Sequence, residues 1–207
     1  MTTKFQTSAL KDKDYESIAA RLRKGEVLLY PTETTYGLGC VASERAGIER
    51  IFELKQRPAE RPFLVLVRDR KMLAEYVSEI PAPYEPLMER FWPGPLTLVF
   101  PARENLLPLE LLAPGLSTLA IRISSDPFCA RLLEALGAPL VSTSANLSGA
   151  PNPTSLEDVS HFVKNGVDML VDGGALSGRP STVVRLDGGK AAIVREGALS
   201  AEDLGIA

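Results

Sequence analysis

The sequence predicts one α/β domain over residues 1–207, built on a mixed parallel and antiparallel sheet with flanking helices. Three observations carry this. Helical and strand patterns alternate along the chain. The strands read near 181–186 and 191–195 are too close together for a helical crossover, so part of the sheet is antiparallel. Finally, the chain shows no internal repeat and no low-complexity segment, and the 150–154 stretch reads as a turn rather than a linker that would divide domains.

In order, Asp14 caps a first helix whose apolar face carries Ile18 and Leu22, and Gly25 stops it. A strand over 26–30 follows. Ser43 caps the next helix, with Ile48, Ile51, Phe52 and Lys55 at helical spacing and Pro58 as its end. The apolar run 63–67 reads as a fully buried strand. Helices near 70–77 and 84–91 precede a strand over 96–100 and a Leu- and Pro-rich loop over 101–116. A strand over 117–123, a helix over 127–136 and a strand over 139–142 come next. A helix near 155–164, strands near 168–171, 181–186 and 191–195, and a short tail complete the reading.

Composition narrows the function classes. The 207 residues carry a net charge of −3 and are 45% hydrophobic, an ordinary soluble balance and not that of a general nucleic-acid coat protein. No run of about 18 apolar residues suggests a membrane span, and the first residues lack the apolar core of a signal peptide. A cytoplasmic location is expected. Two distant cysteines, Cys40 and Cys129, argue against a disulfide framework or a Cys-based zinc site, and the single histidine, His161, rules out a multi-histidine metal site. His161 reads as a surface residue of a helix.

Two strand exits carry the chemistry. After the apolar run 138–141 comes Ser142-Thr-Ser144-Ala-Asn146-Leu-Ser148-Gly149, and after the strand over 26–30 comes Pro31-Thr-Glu-Thr34-Thr-Tyr36-Gly-Leu-Gly39. Ligands of open α/β sheets sit beyond the carboxyl ends of strands, so hydroxyls and an amide there suit a nucleotide or amino-acid site. Lys55-Gln-Arg57-Pro58-Ala-Glu-Arg61-Pro62 sets three cations on a proline-stiffened connector, a good surface for phosphates. Arg122 lies inside an apolar strand and needs a partner or a ligand; Arg195 repeats the pattern. Gly37-Leu-Gly39 lacks the third glycine of a dinucleotide fingerprint, and the glycine-rich stretch 173–181 has arginine where a P-loop requires lysine.

In these segments the chain resembles the YrdC/Sua5 family of L-threonylcarbamoyladenylate synthases. The matching segments are Tyr30 to Gly39, Lys55-x-Arg57-Pro58, Arg90-Phe-Trp-Pro-Gly-Pro-Leu-Thr97, Leu119-Ala-Ile-Arg122, Ser142 to Gly149, Ser181-Thr-Val-Val184 and Val194-Arg-Glu-Gly197. They run in the family's order over almost the whole chain, which resembles the short, single-domain form without the extra C-terminal domain of long members.

The resemblance implies a twisted mixed sheet around a concave cavity. It also implies a nucleotidyltransferase that condenses L-threonine, bicarbonate and ATP into threonylcarbamoyl-AMP for the t6A modification at adenosine 37 of tRNA, acting with a threonylcarbamoyl-transfer complex. By motif position Thr34, Arg122, Ser144 and Ser181 contact threonine. Lys55, Arg57, Arg61, Thr118, Asn146, Thr154 and Arg195 contact ATP, with Lys55 facing the phosphates and Lys55 and Arg57 as the catalytic pair. No side chain reads as a covalent nucleophile or a dedicated metal ligand, so Mg2+ is expected only with the ATP phosphates. Long members often carry histidine where this chain has Leu66, which implies that this threonine contact is lost or backbone-only; at Arg61 the family commonly has a smaller residue. Two other readings stay open: an RNA-binding module holding tRNA or double-stranded RNA in the cavity, and a diverged paralogue with another substrate.

Overall fold

The structure, a computed structural model, describes residues 2–56 and 62–206. Its strands are β1 (Thr3–Gln6), β2 (Leu28–Tyr30), β3 (Gly37–Gly39), β4 (Leu64–Leu66), β5 (Leu96–Pro101), β6 (Thr118–Arg122), β7 (Leu140–Ser144), β8 (Met169–Asp172), β9 (Thr182–Asp187) and β10 (Lys190–Arg195). Its helices are α1 (Asp12–Leu22), α2 (Arg45–Lys55), α3 (Arg70–Tyr76), α4 (Glu85–Phe91), α5 (Leu109–Leu112), α6 (Pro127–Leu136), α7 (His161–Gly166) and α8 (Ala201–Leu204). The ten strands form one sheet in the order β1-β8-β2-β3-β7-β4-β6-β5-β9-β10. The pairs β1/β8, β2/β8, β4/β6 and β5/β9 are parallel; β2/β3, β3/β7, β4/β7, β5/β6 and β9/β10 are antiparallel. The mixed α/β architecture is therefore the expected one. Among the described residues no helix is long and apolar enough to cross a membrane.

Side-chain alternation along the strands builds two unequal cores. On one face Val65, Ile121 and Val141 join Ile48, Ile51 and Leu54 of α2, Met72 and Leu73 of α3, and Leu87 and Met88 of α4. On the other, Leu28, Tyr30, Leu66, Leu140 and Met169 pack under Tyr15, Ile18 and Leu22 of α1 and Phe128, Leu132 and Leu136 of α6. This second face is only partly roofed. Where α1 and α6 stop, the same alternation continues with polar residues: Ser142 and Ser144 follow Leu140 on β7, and Arg122 lies in register with Leu66. The uncovered part of the sheet is where the site lies.

Several local expectations are corrected. Asp14 stands at the third position of α1, where its carboxylate accepts the Lys11 N–H at 2.8 Å, rather than at the cap. Glu44, not Ser43, precedes α2. That helix ends at Lys55 with Gln56 left-handed at φ 47°, and the expected stop at Pro58 lies outside the described residues. The helix expected near 155–164 begins only at His161. Asp158 takes the amides of Thr154 and Ser155 and the Thr154 hydroxyl, each at 2.9 Å, which offers the backbone a turn in place of a helix. Ser160 then caps α7 through Val163 N–H, and His161 is exposed on it, as expected.

Four elements were not read from sequence: β1, β3, α8 and the short helix α5, which lies inside the stretch 101–116 expected to be a loop. Strand β3 requires glycine at position 39, where the sheet is tight. A Cβ on Gly39 would lie 2.6 Å from the Val141 carbonyl oxygen and 2.8 Å from the Tyr30 ring.

Candidate functional site

A solvent-open cavity of about 150 Å³ lies over the uncovered sheet face. Its wall contains Thr32, Thr34 and Thr35 from the β2–β3 turn, Leu64 from β4, Arg122 from β6, Ser142, Thr143 and Ser144 from β7, and Pro180, Ser181 and Arg195. The strand ends thus bring together the two hydroxyl-rich exits that sequence singled out.

The turn over 32–35 is rigid. Thr32 Oγ1 accepts the Thr34 and Thr35 amides at 3.1 and 3.2 Å and donates to Thr35 O at 2.8 Å. Thr34, buried, faces Arg122 Nη1 at 3.4 Å. Arg122 is 3% exposed and pairs through Nη1 with Glu33 Oε1 at 3.1 Å. Its Nε is buried with no hydrogen-bond partner among the described residues. An unpartnered charged donor in a cavity wall is costly by itself and suits an anionic ligand.

Ser181, which lines the cavity, and the fully buried Thr97 behind it hold their hydroxyls 2.8 Å apart. Arg195 reaches in from the exposed strand β10, its Nη2 donating to Ser181 O at 2.9 Å. Loss of solvation, and then the like charge of Arg122, hold the Arg195 guanidinium below its ordinary pKa. Two guanidinium groups, those of Arg122 and Arg195, line one cavity, an arrangement that suits an anionic ligand.

Lys55 closes α2 and is 2% exposed. Its Nζ donates to Ser144 O, to Asn146 O at 2.9 Å and to Asn146 Oδ1 at 3.2 Å. The last turn of α2 sets the ammonium against the exit of β7, where it fixes the 144–146 backbone. Asn146 Oδ1 also accepts from Ser144 Oγ at 2.5 Å, and its Nδ2 donates to Ala150 O at 2.5 Å. Asn146 and Thr154 line a second open depression beside the first, with Asn152 common to both.

Thr118 does not line the main cavity. It lies on the same face of β6 as Arg122, four residues earlier, or about 13 Å along the strand. Arg57 and Arg61 lie outside the described residues. Leu66 is fully buried in the apolar cluster under α6, and Leu64 is the residue of β4 that reaches the cavity.

Sequence reading missed Glu33, Thr97 and Ser142 as site components. Glu33 and Ser142 lie within the two recognised strand exits, and Thr97 ends the matching segment Arg90 to Thr97. Cys40 and Cys129 are buried free thiols, both pushed up by burial, and neither is poised as a nucleophile.

The Sua5/YciO/YrdC family model, described as "Telomere recombination", matches residues 20–197. The chain belongs to the Sua5/YciO/YrdC family. A threonylcarbamoyl-AMP synthase of Bacillus subtilis (strain 168) is 37% identical over 194 residues, 93% of this chain and 56% of the relative. The structure of Pyrococcus abyssi Sua5 complexed with L-threonine superposes with a TM-score of 0.89 at 34% identity, covering 99% of this chain and 59% of that one. Escherichia coli YciO superposes with a TM-score of 0.86 at 29% identity, covering 99% and 98% of the two chains. The family member described here spans just over half the length of the first two relatives.

Proposed function

We propose that the chain is an L-threonylcarbamoyladenylate synthase, a nucleotidyltransferase joining L-threonine, bicarbonate and ATP for tRNA t6A modification. The observation that carries this reading is Arg122: a buried guanidinium whose Nε has no partner among the described residues, in a hydroxyl-lined cavity that Arg195 also lines. The naming of the synthase relatives and the threonine in the P. abyssi Sua5 structure support it.

In this reading Arg122 holds the amino-acid carboxylate through its Nε edge, and Thr34, Ser144 and Ser181 surround the remaining polar groups. Arg195, with Arg57 and Arg61, balances the triphosphate, while Asn146, Thr154 and Thr118 lie along the nucleotide. Lys55 and Arg57 form the catalytic pair at the phosphates, and the Lys55 ammonium also fixes the 144–146 backbone. The threonine nitrogen captures bicarbonate to form a carbamate with loss of water. A carbamate oxygen then attacks the α-phosphorus in line, and pyrophosphate leaves. Catalysis is positioning plus electrostatic stabilisation of the developing charge. Mg2+ would accompany the nucleotide phosphates and offset their charge. A cytoplasmic transfer complex then delivers the threonylcarbamoyl group to tRNA.

The test is pyrophosphate release by the purified protein with ATP, Mg2+ and bicarbonate across a panel of amino acids. Release that depends on L-threonine supports the reading. Release that depends on another amino acid turns it towards a diverged paralogue.

A further inference from the structure

Among the described residues, Glu33–Arg122 is the most buried ion pair, with side chains 15% and 4% exposed. Every other such pair is more open to solvent. Both Glu33 oxygens are used: Oε1 accepts from Arg122 Nη1 at 3.1 Å and Oε2 from Ser124 Oγ at 2.5 Å. Its backbone is held as well, since Ser177 Oγ donates to Glu33 O at 3.1 Å and Gly178 N–H to Thr34 O at 2.9 Å. Glu33 is therefore a fixed object rather than a carboxylate awaiting a ligand.

The consequence falls on Arg122. Its Nη1 is taken by Glu33 and Thr34, which leaves the Nε edge without a partner in the described structure. Arginine side chains carry large rotamer freedom, and a fork contact needs the planar head held in one orientation. A buried ion pair is weak evidence for stability alone. Its placement beside the cavity points to orientation.

Resting on the function proposed above, we propose that Glu33 is a positioning residue for amino-acid binding: tethered by Ser124, it turns the Nε edge of Arg122 toward the substrate carboxylate. Glu33 does not touch substrate. Its negative charge also partly offsets that of Arg122, so a purely electrostatic role makes the opposite prediction, tighter threonine binding once the charge is removed.

The test measures KM for L-threonine and for ATP separately in wild type, Glu33→Gln and Ser124→Ala, with circular dichroism to verify folding. Loss of a charge-assisted tether is expected to raise the threonine KM about tenfold or more in Glu33→Gln and about threefold in Ser124→Ala, with the ATP KM within about twofold of wild type. A folded Glu33→Gln whose threonine KM is unchanged or lower overturns the proposal. So do equal rises for both substrates, which mark general loosening. If Glu33→Gln does not fold, Ser124→Ala decides: a selective rise supports the tether and an unchanged threonine KM refutes it. A wild-type protein inactive with threonine defeats the functional reading itself, which separates the two failures.

Discussion

Replacing Lys55 by methionine probes how the site is held together. Methionine keeps most of the stem and removes the donors. Ser144 O and Asn146 O lose their Nζ partner, and among the described residues Asn146 Oδ1 keeps only the Ser144 hydroxyl. A buried acceptor left unsatisfied costs about 1–3 kcal/mol. Two carbonyls in a half-buried loop therefore give a loss of about 2–4 kcal/mol. With a urea m-value of about 2–3 kcal/mol/M for a chain of this size, the midpoint should fall by about 1 M. The single tryptophan, Trp92, packs 6.0 Å from Phe100 between ring centroids and provides an intrinsic fluorescence probe of unfolding. Threonine-dependent product formation should fall with it, because the loop carrying Ser144 and Asn146 loses its anchor. A midpoint within about 0.2 M of wild type would refute the reasoning, since three donated bonds would then contribute almost nothing to stability.

Other outcomes follow from the same geometry. Arg122→Lys keeps the charge but loses the planar fork, so the threonine KM should rise about 10- to 100-fold with the fold intact; a change under twofold removes Arg122 from the amino-acid site. Gly37→Ala places a methyl at ordinary contact distances, 3.4 Å from Thr143 O and 3.5 Å from Ser142 Oγ, on the cavity floor. Melting should hardly change while threonine affinity, read by calorimetry, drops about tenfold. Asp158 is held below its ordinary value of 3.8 first by the Thr154 amide, then by the Thr154 hydroxyl and Ser155 amide. Its contribution is complete above 3.8 and is lost as pH falls through the lower folded value. Asp158→Ala should therefore melt below wild type at pH 7, and the gap should close in acid; a gap constant down to pH 2.5 contradicts the assignment.

The sequence carried the fold where periodicity was strong. The helix over 127–136 is legible because Asp126 and Pro127 open it and Gly137, at φ 64°, closes it. Strand β3 was not legible, because Gly-Leu-Gly has no side-chain pattern of its own, and the lack of room for a Cβ at Gly39 arises only from Val141 and Tyr30 in the neighbouring strands. The late start of α7 depends on Asp158 capturing the turn before it, a choice among hydrogen bonds that composition does not reveal. In the site, Arg122 was legible as a charge in an apolar strand. Its partner Glu33 was not, because the two are 89 positions apart and meet only through sheet order. The Lys55 ammonium was legible as a cation at a helix end, but its direction depends on where β7 ends.

The most direct measurement follows labelled bicarbonate. Purified protein is incubated with ATP, Mg2+, labelled bicarbonate and L-threonine, and the mixture is separated rapidly because the product is labile. The account predicts label in an AMP-linked species that requires threonine and forms with release of pyrophosphate. Binding of ATP and threonine without any such labelled species would contradict it.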